Sequence, residues 1–251
     1  MANYLRLNEG VTLSQTLTIM SIVFLVLFML IAVPFYTSYK QKQTMTKLKQ
    51  VHSLLVQTSI QYVLADSAPN EDITVEDFVN KYYKPYLPVE FACSGSQDKC
   101  WNKVEYTDLK NKKMFDKVSY SLVLVNRAVI GFGKTKDNLI YAIVDVDGKV
   151  GKNKLGRDVF VFYMFNKAAA DALCPTNTEN QKYIAEGLHF GAWDKCGIPH
   201  DIYSYEDLYS KNIEDGCNKK SPSNPIGLGV GSGCTAIVKH LNWTIDKIYP
   251  W

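Results

Sequence analysis

A long stretch without any charged side chain lies close to the amino terminus. Residues 10–39 carry no charge, and residues 17–35 within them are almost entirely apolar. About 20 apolar residues, each rising 1.5 Å along a helix, span the hydrocarbon core of a bilayer. No small-residue cleavage site of a secretory signal follows, because the chain continues into Tyr36-Thr37-Ser38-Tyr39. We therefore predict a retained membrane helix rather than a buried core helix or a cleaved signal peptide.

The cysteines indicate an oxidising compartment. All six lie beyond the apolar stretch, and none belongs to a C-x-x-C pair, which disfavours zinc. An even number of cysteines outside a membrane anchor is typical of disulfides in an exported domain. Sequence alone does not select one pairing. Sequential pairing closes three short loops and is our prediction: Cys93–Cys100, Cys174–Cys196 and Cys217–Cys234.

The charges that flank the apolar stretch favour a cytoplasmic location for the rest of the chain, whereas the cysteines indicate an exported one. The whole chain has a formal net charge of +3, which is too mild to indicate nucleic-acid binding. By the positive-inside rule, the more basic flank stays in the cytoplasm. Arg6 precedes the stretch, whereas four lysines follow it: Lys40, Lys42, Lys47 and Lys49.

The pattern beyond Pro34 predicts that the helix continues. Apolar and small residues recur at spacings of three and four, so they share one face. We predict one long helix over residues 12–65, with a kink near Pro34, where proline removes a backbone hydrogen bond. The predicted inward face comprises Leu48, Val51, Leu55, Ser59 and Tyr62, widened by Leu54, Ile60 and Val63.

The rest of the chain predicts an α+β fold. Thr74-Val75-Glu76-Asp77 resembles a capping box and opens a short helix ending near Tyr83. Residues 120–125, 139–146 and 159–165 are rich in Val, Ile, Tyr and Phe, which is typical of strands. We expect the long helix to cover one face of an antiparallel sheet whose loops are stapled by disulfides.

Several stretches of the chain together resemble a known family. Gly10-Val11-Thr12-Leu13, which precedes the membrane helix, resembles the processing site of type IV prepilins and type II secretion pseudopilins. The order and spacing of the other stretches are similar to a subgroup of pilin-like proteins. These stretches are residues 34–49, 81–86, 144–148, 153–160, 234–236 and 249–251.

The resemblance implies a pilin-like fold and a role in a filament. Residues 1–10 would be a cytoplasmic leader, 11–35 the transmembrane half of the helix, 36–66 its amphipathic half, and 67–251 an extracytoplasmic head. A prepilin peptidase would cut between Gly10 and Val11, and the new amine would be methylated. The implied partners are the peptidase, membrane lipid, an inner-membrane assembly platform and other pilin or pseudopilin subunits. The leader would stay cytoplasmic while the head becomes periplasmic or extracellular.

Three positions depart from the family pattern. Glu9 replaces the usual basic residue, Val11 the usual phenylalanine, and Gln15 the usual glutamate. In the family, that glutamate pairs with the amino terminus of a neighbouring subunit, which offsets the cost of a charge in hydrocarbon. Subunits at a filament tip tolerate its loss. The resemblance therefore implies a minor or tip subunit in which Gln15 and Pro34 are the assembly positions.

One loop has residues that suit a cation. Asp145, Asp147 and Asp158 are candidate calcium ligands, since oxygen atoms at alternate positions suit that ion. The same Asp147-Gly148 dipeptide is also typical of a turn between strands, and lysines enter the loop. We favour the turn and keep calcium as the alternative, with no other cofactor expected.

No motif indicates catalysis or nucleotide binding. The four histidines are scattered, and the glycines of residues 227–233 lack a preceding strand, so we expect a non-enzymatic protein. Lys110, Lys112, Lys113 and Lys117 form a lysine cluster that we interpret as a solvated surface, with no nucleic-acid partner. Two further hypotheses are an uncleaved, anchored surface binding protein or adhesin, and an exported enzyme on the same anchor.

Overall fold

The computed structural model describes ten segments of the chain. They are residues 13–64, 73–95, 100, 106–114, 118–135, 139–148, 151–165, 187–191, 203–224 and 227–251. By its internal contacts the chain divides into two units, Met1–Gln43 and Thr44–Trp251. The second unit contains the sheet and the hydrophobic core.

The longest element is helix α1, Leu13–Val63, which continues through Pro34. The predicted helix is confirmed to within two residues at each end. All five residues of the predicted inward face are buried, because spacings of three and four place them on one side of the helix. Ile60 was wrongly assigned to that face and is half exposed.

The other helices are short and have local signals at their ends. Helix α2 spans Val75–Tyr82, and its N-cap Thr74 accepts a hydrogen bond from the backbone N–H of Asp77 at 3.0 Å. A 3-10 turn, Lys84–Tyr86, follows it. Helix α3 is Tyr205–Tyr209 and helix α4 is Cys234–His240. The predicted cap at Thr74 is confirmed.

Six strands form one antiparallel sheet in sequential order. They are β1 Val89–Ser94, β2 Tyr120–Leu124, β3 Val129–Lys134, β4 Ile140–Asp145, β5 Val159–Phe165 and β6 Gly187–Phe190. The three predicted strands are confirmed as β2, β4 and β5. The other three were missed, since β1 carries Glu90, glycines interrupt β3, and β6 has four residues.

Both faces of the sheet are buried, which explains why β4 is buried at every position. Alternate residues such as Ala142 and Phe162 face a core that contains residues of α1 and α2. The intervening residues, such as Ile143 and Val161, face a second core. That second core is completed by residues of the loops at 106–114, 151–158 and 227–230. The sheet is therefore the middle layer of the second unit.

Two of the three predicted disulfides are confirmed. Cys93 is bonded to Cys100 and Cys217 to Cys234, and the Cα atoms of these pairs are 6.1 and 4.5 Å apart. The predicted Cys174–Cys196 bond lies outside the described residues. Closure of a loop by a disulfide stabilises a domain by restricting its unfolded chain.

One disulfide packs directly against a glycine of the loop before β5. Gly156 has a φ of +78°, and a Cβ atom there would lie 2.7 Å from Sγ of Cys234. Beside it, the backbone N–H of Val161 donates to Oγ1 of Thr235 at 3.0 Å. Two of the stretches that carry the family resemblance, 153–160 and 234–236, therefore meet in space and fix α4 to the sheet.

We predict that Gly156→Ala is markedly more destabilising than Gly151→Ala. Both glycines have positive φ, but a Cβ at Gly151 would meet nothing within 4 Å. Both variants incur a backbone penalty of about 1 kcal/mol, and overpacking against the disulfide adds about 1–3 kcal/mol at Gly156 alone. Chemical denaturation of the two variants measures the difference. Equal losses of unfolding free energy would contradict the contact.

Candidate functional site: the exposed apolar segment of helix α1

The amino-terminal part of α1 is apolar and exposed along its length. Among the described residues, α1 is the helix long and apolar enough to cross a membrane, and its most apolar window has no buried residue. Residues 17–35 extend about 28 Å at the usual helical rise. Exposing each large apolar side chain to water costs about 1.5–3 kcal/mol relative to burial. The segment therefore requires lipid or other apolar surfaces around it.

The hydroxyl groups within this segment are satisfied by their own helix. Oγ1 of Thr18 donates to the carbonyl of Ser14, and Oγ of Ser21 to that of Leu17, both at 2.9 Å. Buried hydroxyl groups without partners are costly in an apolar medium, and bonding to the preceding turn removes that cost. The two hydroxyls are therefore compatible with an apolar environment.

The predicted processing and assembly positions fall at both ends of the segment. Gly10 and Val11 lie outside the described residues. Gln15 lies in the first turn of α1 and is exposed. Pro34 lies inside the helix, where its missing N–H leaves the carbonyl of Leu30 without the usual helical donor. The kink predicted at Pro34 stays a prediction.

The carboxyl-terminal part of α1 is held by its buried side chains. Leu48, Val51 and Leu55 have no exposed surface, and burial of each contributes about 1.5–3 kcal/mol. On the flank, Nζ of Lys47 lies 3.6 Å from a carboxylate oxygen of Asp147. Exposed ion pairs contribute little, so the apolar contacts supply most of the attachment.

An aromatic cluster joins α1 to the far edge of the sheet and to the carboxyl-terminal segment. The His52 ring lies 4.8 Å from the rings of Phe190 and Trp243 and 5.9 Å from Phe162, measured between centroids. Burial, and next the charge of Lys239, lower the pKa of His52 to about 4. His52 is therefore neutral at pH 7. His52 lies within residues 36–66, the predicted amphipathic half of the helix, and its three ring partners are distant in sequence.

Asp145, the first predicted calcium ligand, organises the loops behind the sheet. One carboxylate oxygen accepts hydrogen bonds from the Tyr106 hydroxyl and the Asn153 amide, both at 2.7 Å. The other accepts from the backbone N–H groups of Gly148 and Asp147 at 2.9 and 3.1 Å. Burial raises the pKa of Asp145, while these donors oppose that shift by stabilising the charged form.

The other two predicted ligands are engaged elsewhere. Asp158 accepts from the backbone N–H of Lys154 at 2.6 Å and from the Arg157 guanidinium. Asp147 is paired with Lys47. Among the described residues, no group of three or more carboxylate, histidine or cysteine side chains could hold a metal ion. Gly148 has a φ of +66°, and its backbone N–H donates to Asp145, but β4 and β5 are connected by residues 146–158 rather than by the tight hairpin turn that Asp147-Gly148 predicts.

Comparison with known proteins identifies no relative. No family model, no curated protein and no solved structure matches the chain.

We predict that His52 adds stability to the domain as the pH rises from about 4 to 6.5. In this window the unfolded chain binds a proton at His52 that the folded chain does not, so the contribution of His52 to the unfolding free energy increases with pH, while the buried carboxyls of Asp145 and Asp158, whose pKa values are raised, contribute in the opposite direction. The partial exposure of the ring limits this contribution to about 1–2 kcal/mol. Urea denaturation across this pH range measures it.

His52→Phe keeps a ring in the cluster and removes the titrating group, so the difference in unfolding free energy between wild type and variant should shift in favour of wild type as the pH rises from about 4 to 6.5. His240→Gln, which changes an exposed histidine, is the matched control and should leave the profile unchanged. A His52→Phe protein with the original slope would contradict the assignment.

Proposed function

We propose that the protein is a non-enzymatic structural subunit of a type IV pilus or a type II secretion pseudopilus. The observation that supports this proposal is that α1 has two parts with different surroundings. Its amino-terminal part is exposed and apolar, whereas its carboxyl-terminal part is seated on a disulfide-containing antiparallel sheet. A filament subunit needs both parts, one to join neighbouring subunits and one to display a folded head.

The exposed segment can serve in two apolar environments in turn. Before assembly, lipid surrounds residues 17–35, which are long enough for the hydrocarbon core. After assembly, the same side chains pack against helices of neighbouring subunits, where van der Waals contacts replace those with lipid. The internally bonded hydroxyls of Thr18 and Ser21 suit both environments.

Gln15 favours a minor or tip position within the filament. An amide keeps the length of the glutamate side chain nearly unchanged but carries no charge to pair with a neighbouring amino terminus. A subunit at the tip has no subunit above it and does not need this ion pair. We therefore assign a capping or initiating role to the chain rather than that of the bulk subunit.

The proposal sets the topology and the partners. The leader, residues 1–10, faces the cytoplasm, and the head lies in the periplasm or outside the cell, where Cys93–Cys100 and Cys217–Cys234 form. The partners are other pilin or pseudopilin subunits, a prepilin peptidase and an inner-membrane assembly platform. The second candidate is a surface binding protein that keeps its leader and stays anchored; Glu9 and Val11 favour it.

Processing at Gly10 separates the two candidates. We predict that the protein isolated from its own cell envelope begins at Val11 and carries a methylated amine, because the peptidase removes the leader before assembly. Intact-mass measurement with amino-terminal sequencing tests this. Gly10→Val, which blocks access to the scissile bond, should retain the leader and remain in the membrane. A wild-type chain beginning at Met1 or Ala2 would refute the filament proposal and favour the anchored protein.

A further inference from the structure

The loops behind the sheet bring basic side chains together from three parts of the sequence. The first loop, residues 106–114, meets the second, residues 151–158, through a β-bridge between Thr107 and Lys154. Nζ of Lys154 also donates to Oδ1 of Asn111 at 2.9 Å. The third loop, residues 217–224, begins at Cys217, whose disulfide partner Cys234 packs against Gly156 of the second loop. We call these residues the basic patch: Lys110, Lys112, Lys152, Lys154, Arg157, Lys219 and Lys220.

Two acidic residues of these loops are buried and accept hydrogen bonds within the loops themselves. Asp108 is buried, and its Oδ1 accepts from the backbone N–H groups of Lys110 and Lys112, both at 2.8 Å. Asp158 is buried and accepts from Arg157 and the backbone of Lys154. These carboxylates support the loop backbones, and their burial leaves lysine ammonium groups as the outer charges.

Like charges are crowded within the patch. Burial, and next the charges of Lys219 and Arg157, lower the pKa of Lys154, although the charges of Asp108 and Asp158 oppose this shift. The patch has seven basic residues in a protein whose net charge is only +3, so positive charge is concentrated in these loops. An anion bound here would relieve the repulsion between these side chains, so its binding has a favourable electrostatic contribution.

We propose that the basic patch binds a linear acidic polysaccharide through its carboxylate or sulfate groups. The inference goes beyond the proposed function, and it holds whether the chain assembles into a filament or remains anchored. The ligand chemistry follows from the donors. Lysine ammonium groups are mobile point charges, which suit charges that are spread along a flexible chain.

The side chains of the basic patch are poorly suited to binding nucleic acid. The Arg157 guanidinium is engaged by Asp158 and by the carbonyl of Lys152, so it does not present a free fork to a phosphate. Binding of single strands uses exposed aromatic rings for base stacking. Among the described residues of the three loops, 106–114, 151–158 and 217–224, the single aromatic residue is Tyr106, which is buried against Asp145.

Heparin is titrated into the full-length protein, held in detergent micelles, and its binding affinity tests the proposal. The triple variant Lys110→Gln, Lys112→Gln, Lys219→Gln removes three exposed charges of the patch, and its unfolding midpoint is measured alongside. The matched control, Lys49→Gln, Lys84→Gln, Lys247→Gln, removes three exposed lysines elsewhere. Charge-matched duplex DNA is titrated in parallel over a range of salt concentrations.

We expect heparin to bind wild-type and control proteins alike, more tightly than the DNA. The patch variant should bind heparin at least about tenfold more weakly with a smaller dependence on salt, since fewer counterions are released. Three results would overturn the proposal: no binding of heparin, equal weakening in both triple variants, or DNA bound as tightly as heparin. The last would assign the patch to nucleic acid.

Discussion

The packing of the carboxyl-terminal part of α1 against the sheet is the contact on which the stability of the head depends. Residues at spacings of three and four, from Met45 to Tyr62, enter one core with the strands and α2. Each large side chain contributes about 1.5–3 kcal/mol, whereas the ion pair between Lys47 and Asp147 is partly exposed and contributes little. The aromatic cluster around His52 extends this contact to the carboxyl-terminal segment.

The opposite face of the sheet is stabilised in a different way. This face is covered by loops, whose backbone N–H groups have no neighbouring strand to pair with. Buried carboxylates accept hydrogen bonds from these N–H groups instead. Asp108 and Asp145 each accept two such bonds. The Cys217–Cys234 bond packs against Gly156 of the 151–158 loop. The residues that suggested a calcium loop thus support the fold, and the exposed lysines around them form a separate surface.

The sequence predicted the elements whose signals are local or strongly periodic. The long helix, its inward face, the cap at Thr74 and three strands all follow from spacing within a few turns or residues. Strand β3 was missed because Gly131 and Gly133 hide its pattern, although pairing on both sides buries it. The ring partners of His52 and the Tyr106 partner of Asp145 lie far away in sequence, and only the fold reveals them.

If the exposed part of α1 joins other subunits, site-specific cross-linking should capture the neighbouring subunit. A photoreactive phenylalanine analogue at Phe28, an exposed position within the apolar segment, is activated in cells during filament assembly. We expect a covalent adduct with a second pilin-like protein, and none from the same probe at exposed Val125 of the head. Adducts with lipid alone at Phe28, in cells that assemble filaments, would contradict it.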